Sequence, residues 1–298
     1  MCKTLFDLFK HRDMRPVNII DAILNVIKHH QISLQDPRNT NNRLHAMGES
    51  LEKYVKDIFA GTLLASEAEK MQIHAQCFSY GGGANNPPDA MIRGGAAIEI
   101  KKVESIGSVP LNSSFPKSKL HRDDYRISNA CRNAEGDTWT EKDMIYAIGH
   151  VQKNTNILKS LAFVYGDVYC ADRECYENIF NTIKNAINST PLQLEESDEL
   201  AHINAVDPLG ITYFRARGMW GINHPYRVFN YIYDYTRGHA FDFMAIIPTS
   251  IFDTFENANL LVEEARTNPN LHILDKQVKN PNNTVQLINV KLITYFIQ

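Results

Sequence analysis

Two short apolar runs, Asp89 to Ile92 and Ala96 to Val103, are separated only by Arg93-Gly94-Gly95, the punctuation of a β-hairpin. That hairpin constrains the chain more than any other feature, because it fixes where its polar residues go. Strand side chains alternate faces, so Glu99 and Lys101, at i and i+2, point the same way, and a neighbouring antiparallel strand can bring Asp89 alongside them. Two carboxylates and one amine then converge. Mg²⁺ favours one or two carboxylates with water and phosphate in its remaining sites, which makes Asp89 and Glu99 suitable ligands. An ion so held lowers the pKa of an attacking water and neutralises charge on phosphate oxygens. Lys101 would orient or help deprotonate that water and offset developing charge. The same residues could also be a solvated Glu99–Lys101 pair on an ordinary strand, and Ile98, Ile100 and Val103 would look no different.

The rest of the chain reads as α/β. Apolar positions 17, 19, 20, 23, 26 and 27 follow helical spacing after Pro16. After the polar stretch from Gln35 to Arg43, Leu51, Val55, Ile58 and Phe59 share a second helical face, which Gly61 ends. Glu52 flanks that face. It could reach the carboxylate pair directly or through water if the helix packs on the hairpin, whereas Glu49 and Lys53 read as solvated. A buried strand is expected over Leu161 to Tyr169 and a helix over Arg173 to Ile187. Apolar runs at Ile211 to Phe214, Phe241 to Ile247 and Val285 to Ile297 extend a β-rich second half, with an Asn-rich stretch at Asn280 to Asn283 and no internal repeat.

Its 298 residues, 44% of them hydrophobic, allow a substantial core, and the five cysteines are odd in number and form no CxxC pair. That pattern argues against a disulfide framework or zinc knuckle and fits a reducing cytoplasm. The residues from Met1 to Arg15 lack the apolar core of a signal peptide, and no stretch approaches the roughly 18 to 20 apolar residues that a membrane span needs.

A formal charge of −3 does not by itself announce a nucleic-acid partner, so any affinity for DNA must be local. Between Arg93 and Arg132 there are eight Lys and Arg against four acids. Within that stretch Lys102 adjoins the hairpin site, and Asn112, Ser113, Ser114, Lys117 and Lys119 offer the amide, hydroxyl and ammonium donors that phosphate contacts use. A second cluster runs from Arg215 through Arg217, Trp220, His224 and Tyr226 to Arg227. Arginine can contact guanine bidentately, and glycines at 218 and 221 permit close approach to a duplex. The competing reading puts Trp220 and Tyr226 in the core, the arginines in surface ion pairs and His224 in a structural role.

Asn86-Pro87-Pro88-Asp89-Ala90, Ala97 to Ser105, Leu111-Asn112-Ser113-Ser114 and Trp139 to Met144 together resemble the NgoPII-type family of type II restriction endonucleases, from about Val17 onward. The resemblance implies a PD-(D/E)xK fold, a central mixed β-sheet flanked by helices with additional recognition elements. It implies Asp89 and Glu99 as metal ligands, Lys101 as the catalytic lysine and Glu52 as the preceding acid. It further implies a single endonuclease domain over 1–298, with a catalytic core at about 43–190 and recognition elements at about 105–135 and 205–240. The expected cofactor is Mg²⁺ and the expected substrate double-stranded DNA at GGCC, read by a two-fold symmetric homodimer. A cognate DNA methyltransferase would be the functional partner, in a bacterial cytoplasm. A repair or recombination nuclease with the same core, and a DNA-binding module without catalysis, are the rival readings.

Overall fold

The computed structural model describes residues 15–29, 33–34, 43–83, 86–112, 114–235 and 238–298, with only the backbone of 43–47. Helix α1 (Ile19–Lys28) begins where Asn18 caps it: the Asn18 side chain accepts from the Ile20 N–H, and Asp21 accepts from the Asn18 N–H at 2.9 Å. This capping box satisfies donors that a helix start otherwise leaves open, so the helix begins two residues later than its apolar spacing. Arg15 pairs with Asp21 at 2.8 Å, and Asn18 donates to Asn257, the residue immediately before α8 (Ala258–Thr267). The N-terminal helix is thereby tied to the far end of the chain.

Helix α2 (Arg43–Ala60) packs on α1 and across the hairpin, burying Leu51, Val55, Ile58 and Phe59 as their spacing requires. Helix α3 (Glu67–Cys77) follows, joined to α2 by a buried cluster in which Lys70, His74 and Thr62 all contact Asp57. Burial opposes ionisation of Asp57, but the bonds from His74, Lys70 and Thr62 outweigh it and hold its pKa below the ordinary value.

The core is one mixed sheet. Along it lie β1 (Phe78–Tyr80), β2 (Ala90–Ile92), β3 (Ala97–Val103), β6 (Glu141–Val151), β7 (Leu158–Tyr165), β11 (Phe241–Pro248), β13 (Asn283–Ile297) and β12 (Leu271–Asn280), in that spatial order. The β3–β6 and β7–β11 pairs are parallel and the others antiparallel, and β5 (Lys119–His121) adds to β6. The expected hairpin is β2–β3, with Ala90 opposite Ile98 and Met91 opposite Ala97. All eight residues of β11 are buried, as its unbroken apolar run demands. The sheet draws on strands from 241–297 as well as on 43–190, so the scaffold reaches beyond the stretch expected to hold the catalytic core. The Asn-rich stretch turns the β12–β13 hairpin, pairing Asn280 with Asn283.

Two strand expectations need correction. The strand expected to reach Tyr169 ends at Tyr165, and a 3₁₀ turn over Gly166–Val168 takes its place, because the backbone there presses on a neighbouring segment. A Cβ on Gly166 would stand 2.2 Å from the Ser118 carbonyl oxygen. The apolar run Ile211 to Phe214 adds a strand only at its end. Strand β9 (Phe214–Ala216) begins at its last residue and pairs with β8 (Ala201–Ile203), while Ile211 and Tyr213 are exposed in a loop organised by Asp207, which accepts from Leu209, Ile211 and Thr212. Among the described residues, no helix is long and apolar enough to cross a membrane.

Candidate active site

Asp89 directly precedes β2, and continuing the β2–β3 register by one residue sets it opposite Glu99. Its N–H donates to the Ile98 carbonyl at 3.0 Å, and its Oδ2 accepts from the Ile100 N–H at 2.6 Å. The carboxylate is thus pinned to the strand that carries its partners. Gly82 makes that position reachable: with φ at +92°, a Cβ there would lie 2.4 Å from the Asp89 carbonyl oxygen. At the hairpin turn, Lys142 of β6 donates to the Gly95 carbonyl at 3.0 Å and pairs with Glu135 at 2.9 Å.

On the shared face of β3, Lys101 Nζ lies 2.6 Å from Glu99 Oε1 and 3.9 Å from Asp89 Oδ2. The structure therefore brings Asp89, Glu99 and Lys101 together. Burial pushes the Asp89 carboxyl up to about 7, and the facing Glu99 adds to this against the opposing pull of Lys101 and the Ile100 N–H. For Lys101, burial works against the charge, but Glu99 and Asp89 overcome it and hold the ammonium pKa above its ordinary value. Glu99 Oε2 is buried and has no hydrogen-bond partner among the described residues. Glu52 stands near enough to act on both Asp89 and Lys101 through its charge, yet its carboxylate is held by Lys56 at 2.5 Å, and Lys56 also donates to the Gly81 carbonyl.

Among the described residues no three His, Cys, Asp or Glu cluster closely enough to hold a metal. The pair Asp89 and Glu99 remains a suitable donor set, since a hard divalent ion can be held by two carboxylates with water completing its shell. An unpartnered buried carboxylate oxygen and a carboxyl whose ionisation is resisted by burial and by its neighbour are both signs of missing positive charge.

A cleft of about 590 Å³ opens over these residues, and Asn112, Ser114 and Arg217 line it with them. The two segments expected to recognise a partner meet here: β4 (Ser108–Asn112) pairs with β10 (Trp220–Asn223), setting Asn112 opposite Trp220. Arg215 and Arg217 both grip Glu199, at 2.6 and 2.7 Å, and stay about half exposed.

Other expected contact residues lie elsewhere or are already engaged. Lys102 points to the face of β3 opposite Lys101 and pairs with Glu104 at 2.7 Å. Lys117 is buried, 2.9 Å from Asp124 and over the Phe115 ring, and burial lowers its pKa against the pull of Asp124. Lys119 is shared between Asp143 and Asp167. These lysines are already paired with carboxylates, so they are not the free phosphate donors that charge counting suggested. His224 is fully buried, accepts from the Tyr226 N–H at its Nδ1 and stacks on Tyr226; burial pushes its pKa down to about 4, which makes it a neutral cap for α6 (Pro225–Val228). Trp220 packs edge-on against Phe115 and Tyr176, so its ring braces the ribbon from within. Arg227 is exposed at the end of α6, outside the lining of the cleft. Ser113 lies outside the described residues, as do the first fourteen.

Three residues near the site carry roles that the sequence did not assign. Lys142 clamps the hairpin turn, and Tyr146 accepts from the Lys117 N–H at 2.6 Å and donates to the Lys117 carbonyl at 3.1 Å, holding that segment behind Glu99. The third is Arg126, which lines a cavity beside the cleft. A lysine entering a strand as apolar as Met144 to Ile148 was the one available signal for Lys142.

The sequence model of the NgoPII restriction endonuclease family matches residues 17–279. The type II restriction enzyme NgoPII of Neisseria gonorrhoeae is 48% identical over 283 residues, covering 94% of this chain and 100% of that protein. No solved structure matches the chain.

Proposed function

This chain belongs to the NgoPII restriction endonuclease family, whose members are site-specific DNA hydrolases, and from that premise we propose that it cuts duplex DNA at GGCC with Mg²⁺, using Asp89, Glu99 and Lys101 on a PD-(D/E)xK scaffold. One observation carries the assignment of residues. Two carboxylates and an ammonium converge within 3.9 Å under a cleft that Asn112, Ser114 and Arg217 also line.

Asp89 and Glu99 would hold the Mg²⁺, which when bound supplies a water of lowered pKa and positive charge against the phosphate oxygens. The chain's own residues set the geometry. The Ile100 N–H holds the Asp89 carboxylate in line with Glu99, and Glu99 in turn orients Lys101. Lys101, an ammonium beside both carboxylates, acts as a donor: it positions the attacking water and offsets charge that develops on the phosphate. Glu52, engaged by Lys56, acts on this group by charge and through water. Arg217, Asn112 and Ser114 hold the duplex over the cleft, with Arg215 supporting Arg217 through their shared Glu199.

A palindromic GGCC is matched by two copies of the chain related by a two-fold axis, each presenting one cleft to one strand. Such an enzyme would act in the bacterial cytoplasm beside a methyltransferase that protects the same sequence. The test of the residue assignment is Lys101→Ala and Asp89→Ala. Both should lose Mg²⁺-dependent cleavage by at least about a hundredfold, the scale of losing one transition-state donor, while duplex binding is largely kept. Full cleavage by either variant overturns the assignment.

A further inference from the structure

A second cavity of about 240 Å³ adjoins the catalytic cleft and shares Asn86, Pro87, Ser114 and Arg217 with it; Tyr125, Arg126, Phe180, Asp198 and Glu199 also line it. Arg126 differs from the arginines around it. Arg122 pairs with Asp137, Arg173 with Asp123, and Arg215 and Arg217 with Glu199. The Arg126 guanidinium has no hydrogen bond or ion pair among the described residues, and its Nη1 is a buried donor without a partner. Aromatic rings hold it instead. Its central carbon is 3.7 Å from the centroid of Phe115, 4.4 Å from that of Tyr125 and 5.7 Å from that of Phe180. Such a sleeve keeps a guanidinium charged and fixed in direction while leaving its donors for something else.

The composition of the cavity says what that is. A backbone phosphate entering it would meet two carboxylates, and although Glu199 is compensated by its arginines, Asp198 is exposed and lines the cavity too. A ligand that offers acceptors to Arg126 and a donor to Asp198 fits this lining. The major-groove edge of a G·C pair has that pattern, with guanine N7 and O6 as acceptors and the cytosine N4 amine as donor. Building on the proposed cleavage at a G·C-rich site, we propose that this cavity reads one G·C pair, Arg126 donating to guanine N7 and O6 and Asp198 accepting from the cytosine N4 amine.

The reading is wired to the chemistry. Asn86 donates its side-chain N–H to the Arg126 carbonyl at 2.7 Å, and Asn86 lies three residues ahead of Asp89. A base pair seated on Arg126 therefore bears on the segment that carries the first carboxylate.

The experiment measures binding with Mg²⁺ present, on Lys101→Ala protein so that the duplex stays intact. The probes are the cognate duplex, an unrelated duplex, and cognate duplexes in which each guanine in turn is 7-deazaguanine, which lacks the N7 acceptor. Arg126→Ala and Asp198→Ala should each weaken cognate binding about 5- to 150-fold more than unrelated binding. At one guanine position the 7-deaza penalty should be present with Arg126 and absent in Arg126→Ala. Arg126→Lys keeps the stem and the charge, so it guards against a merely misfolded variant; it should retain unrelated binding and lose the cognate preference, since lysine lacks the bidentate fork. Equal losses on cognate and unrelated duplexes, or 7-deaza penalties that persist at every guanine in Arg126→Ala, overturn the inference and leave the cleavage reading standing. A Lys101→Ala protein that prefers no sequence at all overturns both.

Discussion

Replacing Asp89 with asparagine should stabilise the metal-free protein while ending its cleavage. The Asp89 side chain is only about one-fifth exposed, and burial together with Glu99 pushes its carboxyl from an ordinary 3.8 up to about 7. That is about 3 pKa units, a ceiling of about 4 kcal/mol at about 1.4 kcal/mol per unit. Between about pH 4 and pH 7 the unfolded chain has released this proton and the folded chain retains it, so the wild type loses stability as pH rises through that window and levels off above it. Asparagine carries no such penalty. Its Oδ1 can still accept from the Ile100 N–H, but its amide N–H group then needs a partner, at a cost of about 1 to 3 kcal/mol. The variant should therefore be about 1 to 3 kcal/mol more stable than wild type near pH 8, with the advantage shrinking and reversing as pH falls toward about 4. Urea unfolding in EDTA at several pH values measures the difference. Adding Mg²⁺ should then reverse the order near pH 8, because only the wild type keeps both ligands and gains binding free energy. A pH-independent difference, or a variant less stable than wild type near pH 8 without metal, refutes the argument that two crowded carboxylates await a cation.

Two further substitutions probe the scaffold and the cleft wall. Gly166→Ala forces a Cβ against the main chain of Lys117 and Ser118, which cannot swing aside as a flexible side chain would, and should cost about 1 to 3 kcal/mol in urea unfolding; an unchanged midpoint would contradict the close approach. Arg217→Ala, at the cleft, should cost about 1 to 3 kcal/mol of duplex affinity, while Arg227→Ala, outside its lining, should cost under about 0.5 kcal/mol; equal losses in a binding titration would sink the placement of the duplex.

What could be read directly from the sequence was local. The β2–β3 hairpin declared itself because Gly94-Gly95 divides two apolar runs, and i, i+2 alternation alone put Glu99 beside Lys101. Helix α5 (Arg173–Asn188) and β11 were legible for the same reason, the first by its period and the second by its unbroken run. Strand β6 was not, although it is the parallel neighbour of β3. Its Glu141-Lys142-Asp143 start breaks the apolar pattern, and Lys142 is tolerable there only because Glu135 and the Gly95 carbonyl lie across from it. The pairing of Asn112 with Trp220 joins residues more than a hundred positions apart, so no window of sequence contains it.

Charge was legible in number and not in use. Lys117 and Lys119 count as positive surface until Asp124, Asp143 and Asp167 are seen against them. Arg126 sat in the same count with nothing to mark it. What distinguishes it is that Arg122, Arg173, Arg215 and Arg217 are paired with carboxylates while its guanidinium is held by aromatic rings, a property only the folded chain possesses. The site was thus legible where backbone geometry dictates it and hidden where distant side chains decide which charges remain free.

The central claim, that Asp89, Glu99 and Lys101 form a metal-dependent centre for cutting duplex DNA at one sequence, meets its most direct test in digestion of a plasmid of known sequence, with sequencing of every end produced. The expected result is a discrete set of fragments, each end falling within GGCC, formed with Mg²⁺ and absent in EDTA. Ends scattered over unrelated sequences, or the same fragments appearing in EDTA, would contradict it.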